Sequence, residues 1–296
     1  MKYLVGYAAD AGGREALALG GLLASARDVT LTVCTVVPSS WGYPSPGRVD
    51  AEYEAFLAGH AQRILAQARG ALGNVPGAEF ISRAAPSATE GLAAAATETG
   101  AALVVLGSAR HGPLGRFTIG SVSHDIFYAV PVPVALAPRG YHPAAETRLK
   151  RITCVYVPAP GSRVALDGAV QLCRRYGTPL RIVALVVRDK QMYPSGIGYN
   201  VENMVANVWK SEAIEAQQKV VAELPPDLKV TTSIGDGPDW KKALDSLGWE
   251  DAELLVVGAS VQSRISRLLL GTNSARIIRS SPVPVVVVPH SHGDDS

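Results

Sequence analysis

Two stretches of this chain carry residue types that could bind an anion. Gly107 closes the apolar run Leu103-Val104-Val105-Leu106, and further on Gly120-Ser121-Val122-Ser123 opens a short helical pattern. The same phrase returns as Leu254-Leu255-Val256-Val257-Gly258 and Gly271-Thr272-Asn273-Ser274. At such a junction the first amides of a helix lack intrahelical partners and the helix dipole favours negative charge, so a phosphate group fits. Glycine lets backbone come close to it, because no side chain stands in the way. The hydroxyl of Ser121 or Thr272 adds one more donor, and Val122, Ser123 and Ser274 complete the first turns. Between the two glycines of the first phrase, Arg110 and Arg116 offer guanidinium groups for phosphate oxygens, and Gly112 and Gly115 keep the loop pliable. The plainer alternative is a pair of ordinary helix starts, where serine and threonine are common, each after a solvated loop.

Covalent chemistry is not announced anywhere. The chain has no G-x-S-x-G elbow and no G-x-x-x-x-G-K-[ST] loop. Ser108 and Ser260 lie beside the two phrases, with only His111 as a suggestive neighbour. His60, His111, His124 and His142 show no metal-ligand spacing, and His290 and His292 sit in a polar tail. The expectation is a protein that is not an enzyme and holds no metal.

The elements that must position these residues are themselves repeated. Gly107 and Gly258, Gly120 and Gly271, and Pro133 and Pro284 all stand 151 residues apart. This is a tandem duplication, so each half is read against the other. In the first half, apolar or β-branched runs at 3–8, 29–37, 78–83, 101–106 and 130–137 read as strands. Helical spacing marks 14–25, 52–72, 87–99 and 121–129. In the second half strands are expected at 149–157, 180–187, 228–234, 252–257 and 282–289, and helices at 162–176, 202–224, 238–247 and 272–280. Strands alternating with helices imply a parallel sheet covered on both faces. Pro131 and Pro133 remove ladder donors, so the fifth strand should sit at an edge or pair in a special way. The aromatic loops 39–50 and 188–199 read as packing between the halves, with lids that stack on a base as the alternative.

The bounds agree. A chain of 296 residues with 47% hydrophobic and 18% charged residues suits two globular domains, here 1–140 and 148–290, with a linker at 141–147 and a polar tail at 291–296. A net charge of +2 without a basic run argues against nucleic acid as partner, and no apolar run is long enough to span a bilayer. Cys34, Cys154 and Cys173 are few, odd in number and not in C-x-x-C spacing, which suits buried reduced thiols. The expected setting is cytoplasmic.

Taken together, the strand order, the two glycine-hydroxyl phrases and the Pro-Val-Pro-Val final strands resemble a tandem universal stress protein, over nearly the whole chain. The resemblance implies an α/β fold of two doubly wound domains, each an open five-stranded parallel sheet with helices on both faces, Rossmann-like or adenine nucleotide alpha hydrolase-like. It also implies a final strand that often makes a dimer contact. Nucleotide-binding members carry G-x-x-G-nine residues-G-[ST] and an aspartate at the end of the first strand. Here the second glycine falls at Arg110 and Val261, and the aspartate falls at Ala8 and Val157. Each half therefore keeps the phosphate end of the site and loses two other contacts. The function this implies is regulatory and non-catalytic, with weak binding of ATP or a related nucleotide through Gly107, Arg110, Gly120, Ser121, Val122 and Ser123, and through Gly258, Gly271, Thr272 and Ser274. The alternatives are an interaction module acting as an intramolecular pseudo-dimer, with a protein partner or a second copy, and a nucleotide hydrolase.

Overall fold

In this computed structural model, residues 1–26, 28–39, 50–109, 117–118, 120–144, 147–159, 162–188, 199–259 and 271–289 are described, and the chain divides into two units, Met1–Glu146 and Thr147–Ser296. The aromatic residues Trp41, Tyr43 and Tyr193 and the polar tail lie outside the described residues.

The first unit runs β1 (Lys2–Gly6), α1 (Ala11–Leu23), β2 (Thr30–Pro38), α2 (Asp50–Leu72), β3 (Glu79–Ala85), α3 (Ala88–Thr99), β4 (Ala101–Gly107), α4 (Ser121–Ala129) and β5 (Val134–Ala137). Its strands lie in the order β3-β2-β1-β4-β5, and those pairings are parallel. The chain steps outward from β1 to β3, then crosses back to β4 on the other side of β1. Right-handed crossovers in opposite directions put α1 and α2 on one face and α3 and α4 on the other. Accordingly α1 packs on α2, and α3 on α4. Covered on both faces, β1 and β4 bury Leu4, Val5, Val104 and Val105 completely, which is why their sequences are apolar without alternation. At the start of the order, β3 has β2 as its partner and leaves Glu79, Ser82 and Ala84 exposed.

The second unit repeats this plan with β6 (Arg151–Val155), α5 (Ser162–Tyr176), β7 (Leu180–Val187), α6 (Tyr199–Ala222), β8 (Val230–Gly237), α7 (Trp240–Asp245), β9 (Glu253–Gly258), α8 (Thr272–Ser280) and β10 (Val285–Val288). The strand order is β10-β9-β6-β7-β8, again parallel.

Three expectations are corrected in detail. The fifth strands begin only at Val134 and Val285, because Pro131, Pro133, Pro282 and Pro284 have no N–H to donate; the Pro133 and Pro284 carbonyls still accept from Val104 and Leu255. The first helix starts at Ala11 and not at residue 14, because Asp10 caps it by accepting from the Gly13 N–H at 2.8 Å, and this cap draws Gly12 and Gly13 into the first turn. The third helix of the second unit is only six residues long, starting after its Asp239 cap.

The second unit also contains a buried ionic cluster at the N-terminal ends of β6, β7 and β9. Glu253, with a fully buried side chain, accepts from Arg181 Nη2 and Arg151 Nη2, each at 2.7 Å. Thr153 Oγ1 donates to the same carboxylate and accepts from Arg181 Nε at 3.0 Å. Arg181 further donates to the carbonyls of Leu247 and Gly248 and lies over the Trp249 ring. Burial lowers the pKa of Arg181, opposed by the Glu253 charge, while Arg151 is raised by its bond to Glu253. Removing one member strands a buried charge. Glu253→Ala should therefore lower the unfolding free energy by about 3–5 kcal/mol in urea denaturation. The exposed pair Lys241–Asp245 on α7 should be worth at most about 0.5 kcal/mol in the same assay.

Candidate functional site

Strand order reverses between β1 and β4 in the first unit, so the connections leaving these two strands diverge and leave a crevice at their C-terminal ends. A cleft of about 370 Å³ occupies that place. Its walls come from the end of β1 (Gly6, Tyr7, Ala8), the start of α1 (Asp10, Gly12, Gly13), the end of β4 (Leu106 to Ala109) and the start of α4 (Gly120 to Ser123). Cys34 and Val36 of β2 and Ala88 and Leu92 of α3 line the rest. The structure thus brings Gly107, Gly120, Ser121, Val122 and Ser123 together on one cavity. Arg110, with His111 and Arg116, lies outside the described residues.

At its α4 end the cleft is built of backbone. Gly120 is the N-cap of α4 in an extended conformation, and no side chain caps the helix. Ser121 is exposed and Ser123 buried. A Cβ on Gly120 would lie 3.1 Å from that of Ala109, so a branched side chain would crowd this wall. Ser108 closes the stem of the intervening segment: its Oγ accepts from the Thr118 N–H at 2.8 Å, and the Ala109 N–H donates to the Thr118 carbonyl at 2.9 Å. That hydroxyl is committed to structure, which leaves it poorly placed as a nucleophile.

Gly107 has a further reason to be glycine. A Cβ there would stand 1.9 Å from the Gly12 carbonyl oxygen, and one on Gly13 would stand 1.9 Å from the Ala8 carbonyl oxygen. The first turn of α1 therefore rests on the strand ends backbone against backbone, and at this point the room beside Gly107 is filled by Gly12. Sequence reading placed Gly12 and Gly13 in a loop; the signal that marks them is Asp10 three residues before Gly13, a helix-start spacing.

Among the described residues, few charges line the cleft. Ala8 offers no carboxylate at the end of β1. Asp10, the next acidic residue, is committed to capping α1 through Gly13. Tyr7 lines the cleft with its phenol raised by burial, against the lowering effect of Arg14. The Cys34 thiol is fully buried and pushed up to about 11 by burial, so it is a neutral wall group at pH 7 and not a nucleophile.

In the second unit Gly271 is the N-cap of α8, again without a side-chain cap, and Thr272 is exposed. Ser274 Oγ donates to the Gly258 carbonyl at 2.9 Å, which ties the helix to the end of β9. Val261, Arg264 and Arg267 lie outside the described residues. Among the described residues no cluster of His, Cys, Asp or Glu could hold a metal ion, and no helix is long and apolar enough to cross a membrane.

Comparison with known proteins agrees with this architecture. The sequence signature of the Universal stress protein family matches residues 1–138 and again 148–289. A universal stress protein of Mycobacterium tuberculosis is 36% identical over 296 residues, covering 98% of this chain and 100% of its own. Among solved structures, a universal stress protein from Archaeoglobus fulgidus superposes with a TM-score of 0.67 at 18% identity, over 97% of each chain. A protein of unknown function from Pseudomonas aeruginosa gives a TM-score of 0.58 at 15% identity, over 97% of this chain and 92% of that one.

Gly107→Ala should lower stability by about 1–3 kcal/mol, because the added methyl must displace the Gly12 backbone. Gly70→Ala in α2, which meets nothing within 4 Å, should raise it by about 0.5–1 kcal/mol. Chemical denaturation of the two variants beside the wild type checks both signs.

Proposed function

The chain belongs to the universal stress protein family, and from that premise we propose that it is a cytoplasmic regulatory protein without chemistry of its own, which takes ATP or a related nucleotide weakly in the cleft of the first unit. The observation that carries this reading is the cavity at the reversal between β1 and β4, where α4 starts on Gly120 without a side-chain cap hydrogen bond among the described residues. Backbone donors there suit phosphate oxygens, and the helix dipole adds attraction. The apolar wall of Val36, Leu92 and Leu106 suits the flat face of a base.

Weak affinity follows from two features. With Ala8 at the end of β1, a ribose meets no carboxylate acceptor at that position. Asp10 also holds a negative charge at the rim, where a triphosphate would have to approach. We favour the first unit because Ser274, one of the hydroxyls that would serve the second, already bonds Gly258. A loaded and an empty state would then differ in what they offer a protein partner.

Thermal denaturation with and without millimolar ATP and magnesium tests the reading. A ligand that binds only the native state adds about 2.7 kcal/mol of stability at a hundredfold excess over its dissociation constant. A rise in midpoint that disappears in Gly120→Val supports the site. No rise at any concentration sinks it and leaves an interaction module as the working description. Asp10→Asn keeps a competent N-cap while removing the rim charge, so it should bind ATP several-fold more tightly than the wild type in equilibrium dialysis, with a smaller gain for AMP.

A further inference from the structure

Glu15 is the most deeply buried acid among the described residues of the first unit, 3% exposed, and lies on α1 two residues beyond the cleft wall. Its Oε1 accepts from the Gly140 N–H at 2.5 Å. Its Oε2 is buried and meets no partner at hydrogen-bond geometry among the described residues, while the Ser108 backbone favours the charged form of the carboxyl. Gly140 belongs to a turn directly after β5, in which the Tyr141 N–H donates to the Pro138 carbonyl at 3.1 Å and Gly140 takes φ +78°. That φ suits the third residue of a type II turn and needs glycine. The same turn buries the Tyr141 hydroxyl without a partner, and burial pushes that phenol up to about 12. Two polar groups thus give up water when the turn closes, against one hydrogen bond from a side chain. A buried polar atom left in that condition calls for an explanation.

We propose that Glu15 is a proton-operated latch, holding the turn at 138–141 against α1 when its carboxyl is neutral and releasing the turn when it ionises. The ionised carboxylate has one oxygen bonded by Gly140 and one buried without a partner at hydrogen-bond geometry, which favours swinging out to water. The neutral acid keeps the Gly140 bond without the charge. Burial raises the Glu15 carboxyl; the bond to Gly140, the charges of His142 and Arg139 and the backbone of Ser108 oppose this. Other ionisable groups stand on α1 and on the elements that contact it. Arg14 and Asp10 flank Glu15 in sequence, β1 brings Lys2 and Tyr3 and is followed by Tyr7, and β2 brings Cys34. From α2 come Asp50, Glu52, Tyr53, Glu54, His60, Arg63 and Arg69, while β4 and β5 carry no ionisable side chain. A carboxyl raised in the fold contributes stability that is complete below its unfolded value of about 4.3 and is lost as pH rises through the folded value. The latch therefore tightens in acid and loosens towards neutrality. Through Ser108, a lining residue of the cleft, Glu15 also touches the segment that precedes α4.

Amide exchange of Gly140 in the full chain, followed by NMR from pH 4.5 to 8 and corrected for intrinsic rates, reads the latch directly. Its protection should fall with rising pH, by up to about tenfold for each unit by which the Glu15 carboxyl stands above the free value. In Glu15→Gln, which keeps an acceptor and cannot ionise, protection should be high and flat. The carboxyl carbon of Glu15 in the wild type should titrate above about 4.3, and this arm needs no variant to fold. A flat Gly140 profile in the wild type, or a carboxyl that titrates at the free value, overturns the proposal. So does a pH response that vanishes in His142→Gln, because it would then belong to the histidine. None of these readouts depends on nucleotide binding.

Discussion

The methyl group that Gly107 lacks would fall on the Gly12 carbonyl. That single steric constraint sets the upper end of the first unit. In a parallel sheet whose order reverses between two adjacent strands, the connections leave in opposite directions, and what fills the gap decides whether a crevice survives. Here the first turn of α1, capped by Asp10 and carrying two glycines, comes down onto the ends of β1 and β4. The gap is partly closed from one side by backbone. What remains open faces α4, which begins on glycine and has no side-chain cap. The shape of the cavity thus follows from two helix starts on one rim, one drawn in by its own aspartate and the other starting on glycine.

The cleft of the first unit and the ionic cluster of the second handle charge in different ways. The cleft is walled by apolar side chains and backbone, with Asp10 its one acidic lining residue among those described. In the second unit the N-terminal ends of β6, β7 and β9 close over Arg151, Arg181 and Glu253, whose hydrogen bonds nearly all stay within that cluster and its adjoining loop. An ion pair buried in that way is costly to make and costly to break, so it favours a single packing. Between these extremes stands Glu15, half satisfied, on the helix whose first turn forms the cleft wall.

Much of this was legible in the residues. The duplication, the alternation of strands and helices, and the starts of α4 and α8 follow from local patterns: apolar runs, helical spacing, glycine before a hydroxyl. Element edges were less legible. Residues 130–133 read as strand because valine favours extended backbone, yet the prolines on either side of Val132 have no N–H to donate to a ladder. Residues 11–13 read as loop because glycine is a poor helix former, while the Asp10 side chain supplied the cap that outweighed it.

What the sequence determined by itself was therefore the family, the fold class and one half of the cleft, since these depend on interactions among near neighbours. Only the tertiary structure decided that Gly107 answers to Gly12, that Ser274 answers to Gly258, and that Glu15 lies beneath Gly140 with one oxygen unmatched. These contacts join residues 16 to 125 positions apart. Local propensity is blind at that range: a glycine needed for close approach and a glycine needed for a turn are the same letter. Which residue a backbone or a carboxylate meets is settled when the sheet order brings distant strand ends onto one rim.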